Sequence, residues 1–259
     1  METNLILKEK VPSATQEYLY TKFAENFDLI LTYRETEKEV KFINHILKEN
    51  KKIKKILDCG CATGRITIPL AKKGYQVTGL DVNQPLLDEG RKKNSEVEFI
   101  YGDMTCLPFE NKSFDAVIST WSAIAYAYNN EELDSFCREA ARITAEHGVI
   151  LIDTANPLEE KNKENKRISE NEILRITTKR KQKILDNVRY NQFQYEFHYK
   201  TTGEKKEFKE KSLEKLWRAE ELKQNLTKHG FKKLRFYGGF DATSYKQNSE
   251  RLIIFAAKE

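Results

Sequence analysis

The chain is poor in several features that would place a protein at once. No apolar run reaches the length of a membrane span, so no spanning helix is expected. Met1 to Lys10 is mixed and charged, which predicts a chain without a signal peptide and a cytoplasmic location. Cysteine is scarce, four in 259 residues, and no pairing has the spacing of a zinc site. Cys59 and Cys61 stand too close for a Cys-x-x-Cys motif, while Cys106 and Cys137 stand alone. All four are expected as small, partly buried thiols. Neither sign of charge dominates: 45 basic and 40 acidic residues give +5, interspersed along the chain. That lacks the concentrated basic stripe of a nucleic-acid reader. The lysine runs at 48–55, 161–167 and 178–183 are exceptions, expected as solvated faces or loops. The length fits one large α/β domain with an insertion, and two small domains remain possible.

What is present centres on one stretch. Ile53 to Leu57 is an apolar run that reads as a buried parallel strand, and it ends in Asp58 and a glycine turn through Gly60 and Gly64. A helical pattern follows, with Ile66, Ile68, Leu70 and Ala71 apolar and Gly74 as its stop. Strand, glycine turn and helix form the nucleotide-cradling unit of doubly wound folds, in which glycines admit a ligand to the backbone and helix-start N–H groups face it. A second strand, Tyr75 to Leu80, ends in Asp81, an acid about 20 residues beyond the turn and suited to ribose hydroxyls.

The dinucleotide fingerprint Gly-x-Gly-x-x-Gly fails, because Ala62 and Arg65 occupy its second and third glycine positions. The pattern Asp-x-Gly-x-Gly-x-Gly fits Asp58 to Gly64 with only the middle glycine replaced, by Ala62. This resembles motif I of the class I S-adenosylmethionine-dependent methyltransferases. The resemblance implies that Asp58 and the backbone at Gly60, Ala62 and Gly64 meet the methionine part of the cofactor. It implies that Asp81 and Val82 follow on the ribose side. After a third strand, Val97 to Tyr101, it places Asp103 on the adenine amino group and Met104 against the ring. Purine N6 is a donor, so a carboxylate is its proper partner. Leu107-Pro108-Phe109, then Ser113-Phe114-Asp115 and a strand Ala116 to Ser119, is frequent in the same class. At that strand's end the resemblance puts Ser119 beside the cofactor and Trp121 beside the substrate. The Asn/Asp-Pro-Pro-Tyr tetrad of adenine- and glutamine-directed enzymes is absent there; Asn156-Pro157 lies one strand later and reads as a turn.

The remaining segments complete the expected fold, a doubly wound, seven-stranded, mainly parallel sheet with an antiparallel β insertion over the active site. Residues 1–50 are expected as a helical lid, 51–158 as the cofactor core, 159–216 as a loop and β-hairpin cover, and 217–259 as the last helix and closing strand pair. Residues 1–15 show no period and are expected to be loosely ordered. Aromatics at helical spacing follow, Tyr18, Tyr20, Phe23 and Phe27. Phe27-Asp28 looks like the family's aromatic-Asp lid pair, with Tyr20 and Tyr33 as lid residues touching cofactor. Glu35 to Asn50 is amphipathic, and Asn83 is expected to cap a helix carrying Pro85 in its first turn. Ile124 to Tyr128 could wall a substrate pocket or simply pack. Glu131 to Thr144 is a helix broken by Gly148, and Val149 to Ile152 the fifth strand.

Glu159 to Glu172 reads as a flexible loop, and Asn191–Tyr199 with Glu204–Leu213 as a hairpin turning at Thr201-Thr202-Gly203. Tyr195, Phe197 and Tyr199 alternate with Glu196 and His198, and one set should face the cleft. The last helix is read from Trp217 to His229, with Arg218 and Arg251 in patterns like those of bacterial small-molecule methyltransferases. Methyl transfer from a sulfonium is an in-line displacement, and a base is needed only for a protonated acceptor. His198, Tyr126 and Glu196 are candidates for that base; Trp121, Tyr195 and Arg218 are candidates for substrate binding. No catecholate-type acid cluster occurs, so metal-independent transfer to N or O of a small molecule is expected, by a monomer or homodimer, with S-adenosylhomocysteine as product. Methylation of RNA, or cofactor binding without turnover, stay open as alternatives.

Overall fold

Apolar alternation through the core builds a mixed sheet sandwiched between helices. The computed structural model describes residues 17–258. The expectation for residues 1–15, and the first residues of the aromatic N-terminal segment, lie outside them. After a π-helical turn at Glu17–Lys22 come α1 (Phe27–Ile30) and α2 (Thr36–Lys48). The core then runs β1 (Lys55–Cys59), α3 (Thr67–Ala71), β2 (Gln76–Asp81), α4 (Gln84–Lys93), β3 (Glu98–Tyr101), β4 (Phe114–Ser119), α5 (Asn130–Ile143) and β5 (Thr144–Ala155). Four strands follow, β6 (Lys163–Glu170), β7 (Leu174–Leu185), β8 (Val188–Tyr199) and β9 (Lys205–Lys215). The chain closes with α6 (Ala219–Lys228), β10 (Phe231–Tyr237) and β11 (Arg251–Lys258).

The main sheet has the order β10-β11-β5-β4-β1-β2-β3, with β11 antiparallel to both neighbours. Successive residues of a strand point to opposite faces. Leu57, Val117 and Ile150 therefore pack with Phe136 of α5 and Leu222 of α6. Ile56, Ile118 and Leu151 pack on the other face with Val40, Ile43 and Leu47 of α2. The chain goes outward from β1 to β2 and β3, then returns to place β4 on the other side of β1. The carboxyl ends of β1 and β4 consequently diverge, and a crevice opens between the loops that leave them.

Three local expectations need correction. The segment 159–172 is not an irregular loop, because it contains β6, paired along its length with β7. The expected hairpin is present as β8 and β9, and it belongs to a larger four-stranded antiparallel sheet, β6-β7-β8-β9. Gly148 does not break α5, which ends at Ile143; it lies inside β5, where a Cβ would come within 2.8 Å of the Asp115 carbonyl oxygen. Asn83 does stand at the N-cap of α4 with Pro85 in the first turn, and its side-chain amide donates to Asp81 Oδ1 at 2.8 Å. The last helix also begins later than expected, at Ala219, with Arg218 as its N-cap residue and Trp217 fully buried before it. Among the described residues no helix is long and apolar enough to cross a membrane.

Candidate functional site

The end of β1 sets the site. Asp58 is only 1% exposed; its Oδ2 accepts from Thr67 Oγ1 at 2.7 Å, while Oδ1 is buried with no donor among the described residues. Burial raises its pKa to about 6, with the Thr67 bond and the Arg65 charge opposing the rise. A buried carboxylate oxygen without a donor is costly and suits a cationic ligand group. Gly60 follows at φ +77°, and a Cβ there would lie 2.4 Å from Ala123 Cβ, so the turn can approach the β4 loop only as glycine. Ala62 holds the left-handed conformation, φ 49°, that a glycine would adopt more cheaply. Its amide donates to Asp81 Oδ2 at 2.8 Å, and Asp81 Oδ1 accepts from the Asn83 amide N–H at 2.9 Å. These bonds fix Asp81 at the mouth of β2.

A cleft of about 450 Å³ opens over these groups, lined by Asp58, Gly60, Ala62, Asp81 and Val82 and, from the loop after β3, by Asp103 and Met104. Asp103 Oδ1 accepts from the Thr105 amide and hydroxyl, both at 2.8 Å, which orients the carboxylate. Tyr101, 62% exposed at the end of β3, lines the same end; sequence reasoning assigned it only to the strand. Asp28 closes the turn from above, taking the Thr63 hydroxyl and the Lys93 ammonium at 2.6 Å each, and its neighbour Phe27 lines the cleft. Gly64, expected to face the cofactor, meets the Phe99 ring instead: a Cβ there would stand 2.7 Å from Phe99 Cζ. Ser119 is fully buried, its hydroxyl without a partner, and does not line the cleft.

The far wall is built around Trp121. Trp121 and Ser122 both hold positive φ, 54° and 64°, an uncommon pair for residues with side chains and a store of strain. The strain is held by bonds. Trp121 N–H donates to Asp153 Oδ2 at 2.7 Å, and the indole N–H to Glu39 Oε2 at 2.6 Å. Asp153 is fully buried and gripped bidentately by Arg251; Glu39 takes Arg65 at 2.7 Å. The Arg34 guanidinium stands 3.7 Å from the indole centroid and Arg251 4.8 Å. Neither Arg34, Glu39 nor Asp153 was singled out from sequence, though Asp153 repeats the signal of an acid late in an apolar strand. Next to Trp121, the Tyr20 and Tyr126 hydroxyls share a hydrogen bond of 2.9 Å. Burial raises both phenol pKa values, so both stay protonated at neutral pH.

Behind this wall lies a second cavity, of about 660 Å³, roofed by the four-stranded sheet. Tyr20, Phe27, Arg34, Trp121 and Tyr126 line both spaces. Strand pairing settles which side of the sheet faces inward: Thr178 and Arg180 of β7 stand beside Tyr195 and Phe193 of β8 and share the cavity face with Arg167 and Asn165 of β6. Tyr195 is 2% exposed and lines this cavity. His198 and Glu196 have the opposite parity, and Glu196 pairs with Lys179 on the outer face. The two base candidates on β8 thus point away from both cavities. Arg218 is exposed at the start of α6, outside either lining. Tyr33 is placed in the second cavity, 44% exposed, and away from the cofactor cleft. The four cysteines are free; Cys59, Cys61 and Cys137 are buried and Cys106 exposed, and burial raises the pKa of the first three. Among the described residues no group of three His, Cys, Asp or Glu forms a metal site.

Comparison with known proteins agrees with this geometry. The family profile described as a methyltransferase domain matches residues 56–148, which run from β1 into β5. A demethylmenaquinone methyltransferase of Lactobacillus johnsonii is 30% identical over 175 residues, covering 61% of this chain and 68% of that protein. Its counterpart from Thermotoga maritima is 30% identical over 141 residues, covering 52% and 58%. The chain thus spans little more than half the length of several curated relatives it matches. Among solved structures, the sugar N-methyltransferase KedS8 from Streptoalloteichus has the same fold, with a TM-score of 0.78, 19% identity, and coverage of 90% of this chain and 92% of that one. The acid-ended strands, the glycine turn and the relatives all lead to one conclusion: the chain belongs to the class I S-adenosylmethionine-dependent methyltransferases.

Proposed function

We propose that the chain transfers a methyl group from S-adenosylmethionine to a nitrogen or oxygen of a small molecule held in the second cavity, without a metal. We place this activity in the cytoplasm, in a monomer or homodimer, with residues 159–216 as the cover. The observation that carries the reading is the meeting of two cavities at a single wall, Tyr20, Phe27, Arg34, Trp121 and Tyr126. One space holds the donor and the other the acceptor, and the wall is where their reacting ends meet.

The first cleft fits the donor on its own chemistry. Asp58 Oδ1, buried without a donor, would take the ammonium of the methionine part. Asp81 would take ribose hydroxyls, and Asp103 with Val82 and Met104 the adenine. S-adenosylmethionine, when bound, supplies a methyl already activated on sulfur, so alignment provides most of the barrier lowering. The wall residues align the acceptor and exclude water. Tyr126 acts by hydrogen bonding through the Tyr20 pair, because burial keeps both phenols protonated. S-adenosylhomocysteine then leaves by the same cleft.

A half-enclosed acceptor space of about 660 Å³ under the cover sheet favours a small molecule over RNA. The outer-face lysines of the cover are partly neutralised, Lys181 by Glu164 and Lys179 by Glu196. The likeness to KedS8 is one of fold and does not name the acceptor. The test is incubation with methyl-labelled S-adenosylmethionine and two acceptor pools from bacterial extract, metabolites passing a small-pore filter and total RNA. Label in the metabolite pool alone is expected. Label in RNA would replace this reading with the RNA enzyme, and binding without any transfer would point to the non-catalytic alternative.

A further inference from the structure

The lining of the second cavity carries both signs of charge, and most of its carboxylates are already engaged; Asp241 accepts from Thr243, and Glu250 stands at the same lining. Glu39 takes Arg65 and the Trp121 indole, Glu160 and Glu214 both take Arg189, and Glu35 takes Lys38. Three further guanidiniums line the same space, Arg34 from the segment after α1, Arg167 from β6 and Arg180 from β7. Among the described residues none of the three forms an ion pair with a carboxylate.

Two of them lie over aromatic rings of the cavity. Arg167 lies 3.7 Å from the Tyr33 centroid, and Arg34 lies 3.7 Å from the Trp121 centroid with its Nε buried and unpartnered. Arg180 is held in place by neutral groups, Asn191 Oδ1 at 2.9 Å and Gln182 Oε1. The Tyr33 hydroxyl registers the field. Burial alone would raise its pKa, but Arg34, Arg167 and Arg180 outweigh burial and the net direction is down. Like charges collected in a half-enclosed space repel, and leaving a buried donor unmet has its own cost. A planar guanidinium fork is the group that matches carboxylate and phosphate oxygens.

We propose that the methyl acceptor carries an anionic group, a carboxylate or a phosphate, seated among Arg34, Arg167 and Arg180. This rests on the reading of the second cavity as the acceptor site. The acceptor's anion is anchored on the cover sheet and at Arg34, while its nucleophilic end meets the wall at Trp121 and Tyr126. The lysine- and arginine-rich stretches of β6 and β7 then serve two purposes, their inward residues binding substrate and their outward ones facing water.

The test is calorimetric titration of the whole chain with phenyl phosphate and with benzoate, each against potassium chloride at matched ionic strength. Saturable binding of either probe is expected, and which one binds more tightly tells phosphate from carboxylate. The variant Arg167→Gln/Arg180→Gln should weaken it about a hundred-fold, the loss of two charge-assisted contacts at about ten-fold each. Lys166→Gln/Lys181→Gln, an equal loss of charge on the outer face of β6 and β7, should leave it unchanged. S-adenosylhomocysteine titrated into the same proteins should bind all of them alike. Anion binding that is absent, or that survives the double variant, while S-adenosylhomocysteine binds, would overturn the anion site and leave the methyltransferase reading intact. Absence of S-adenosylhomocysteine binding to the unaltered chain would remove both.

Discussion

Asp58 carries an electrostatic cost in the cofactor cleft. Its pKa of about 6 stands above the ordinary 3.8, because burial disfavours the charged form more than Thr67 and Arg65 favour it. The folded chain therefore holds this proton more tightly than the unfolded chain. Asp58's contribution to stability is full below the unfolded value and is lost as pH rises to about 6. Asp58→Asn keeps an acceptor for Thr67 and removes the charge. The variant should be more stable than the parent at pH 7.5 by about 1–3 kcal/mol, and equal to it near pH 4. Urea denaturation at the two pH values measures this. Cofactor affinity should fall at the same time, since the charge that costs stability is the one that meets the ammonium. A variant less stable than the parent at pH 7.5 would show that the charge is compensated within the fold.

At the scale of elements, the segment after β4 depends on a residue from elsewhere in the chain. Trp217 is fully buried, and its indole N–H donates to the carbonyls of Ile124 and Ala127, at 3.2 and 3.1 Å. Tyr128 adds a bond to the Leu213 carbonyl at 3.1 Å, so the strand-end loop and the cover sheet are tied together. Trp217→Phe keeps most of the packing and leaves both carbonyls unmet. It should cost about 1–3 kcal/mol in stability and loosen Tyr126. Thermal unfolding, with acrylamide quenching of the remaining Trp121 fluorescence, would detect both effects. Unchanged quenching would mean that Trp217 supports the core and not the wall.

The elements differ in how far their residues announced them. The strands of the core were legible as apolar runs, and the first three close on an acid or a glycine, as at Asp58, Asp81 and Gly102. The strands β6 and β7 were not, because β6 is mainly polar on both faces and β7 carries only Leu174 and Ile176 as buried apolar residues before its inward face turns to the charged cavity. Sustained apolar alternation, the mark of a half-buried strand, is missing. The orientation of His198 was also beyond reach, since a strand's two faces exchange with a shift of one residue and only pairing with β7 and β9 fixes the register. Arg34 gave no signal at all; its place depends on α1 folding over the turn through Asp28 and Thr63.

For the molecule as a whole, the proposed binding of an S-adenosyl cofactor by strand-end acids at the ends of β1 and β4 underlies the rest. The fold alone would also admit a dinucleotide; within the site, Ala62, Arg65 and the unmet Asp58 oxygen argue against it. Titration calorimetry of the full chain with S-adenosylhomocysteine, and with NADH beside it, tests this most directly. The prediction is one site of micromolar affinity for S-adenosylhomocysteine, much weakened in Asp58→Asn, and no heat of binding with NADH. Binding of NADH, or of neither ligand, would contradict the assignment of the Asp58–Gly64 turn and with it the proposed chemistry.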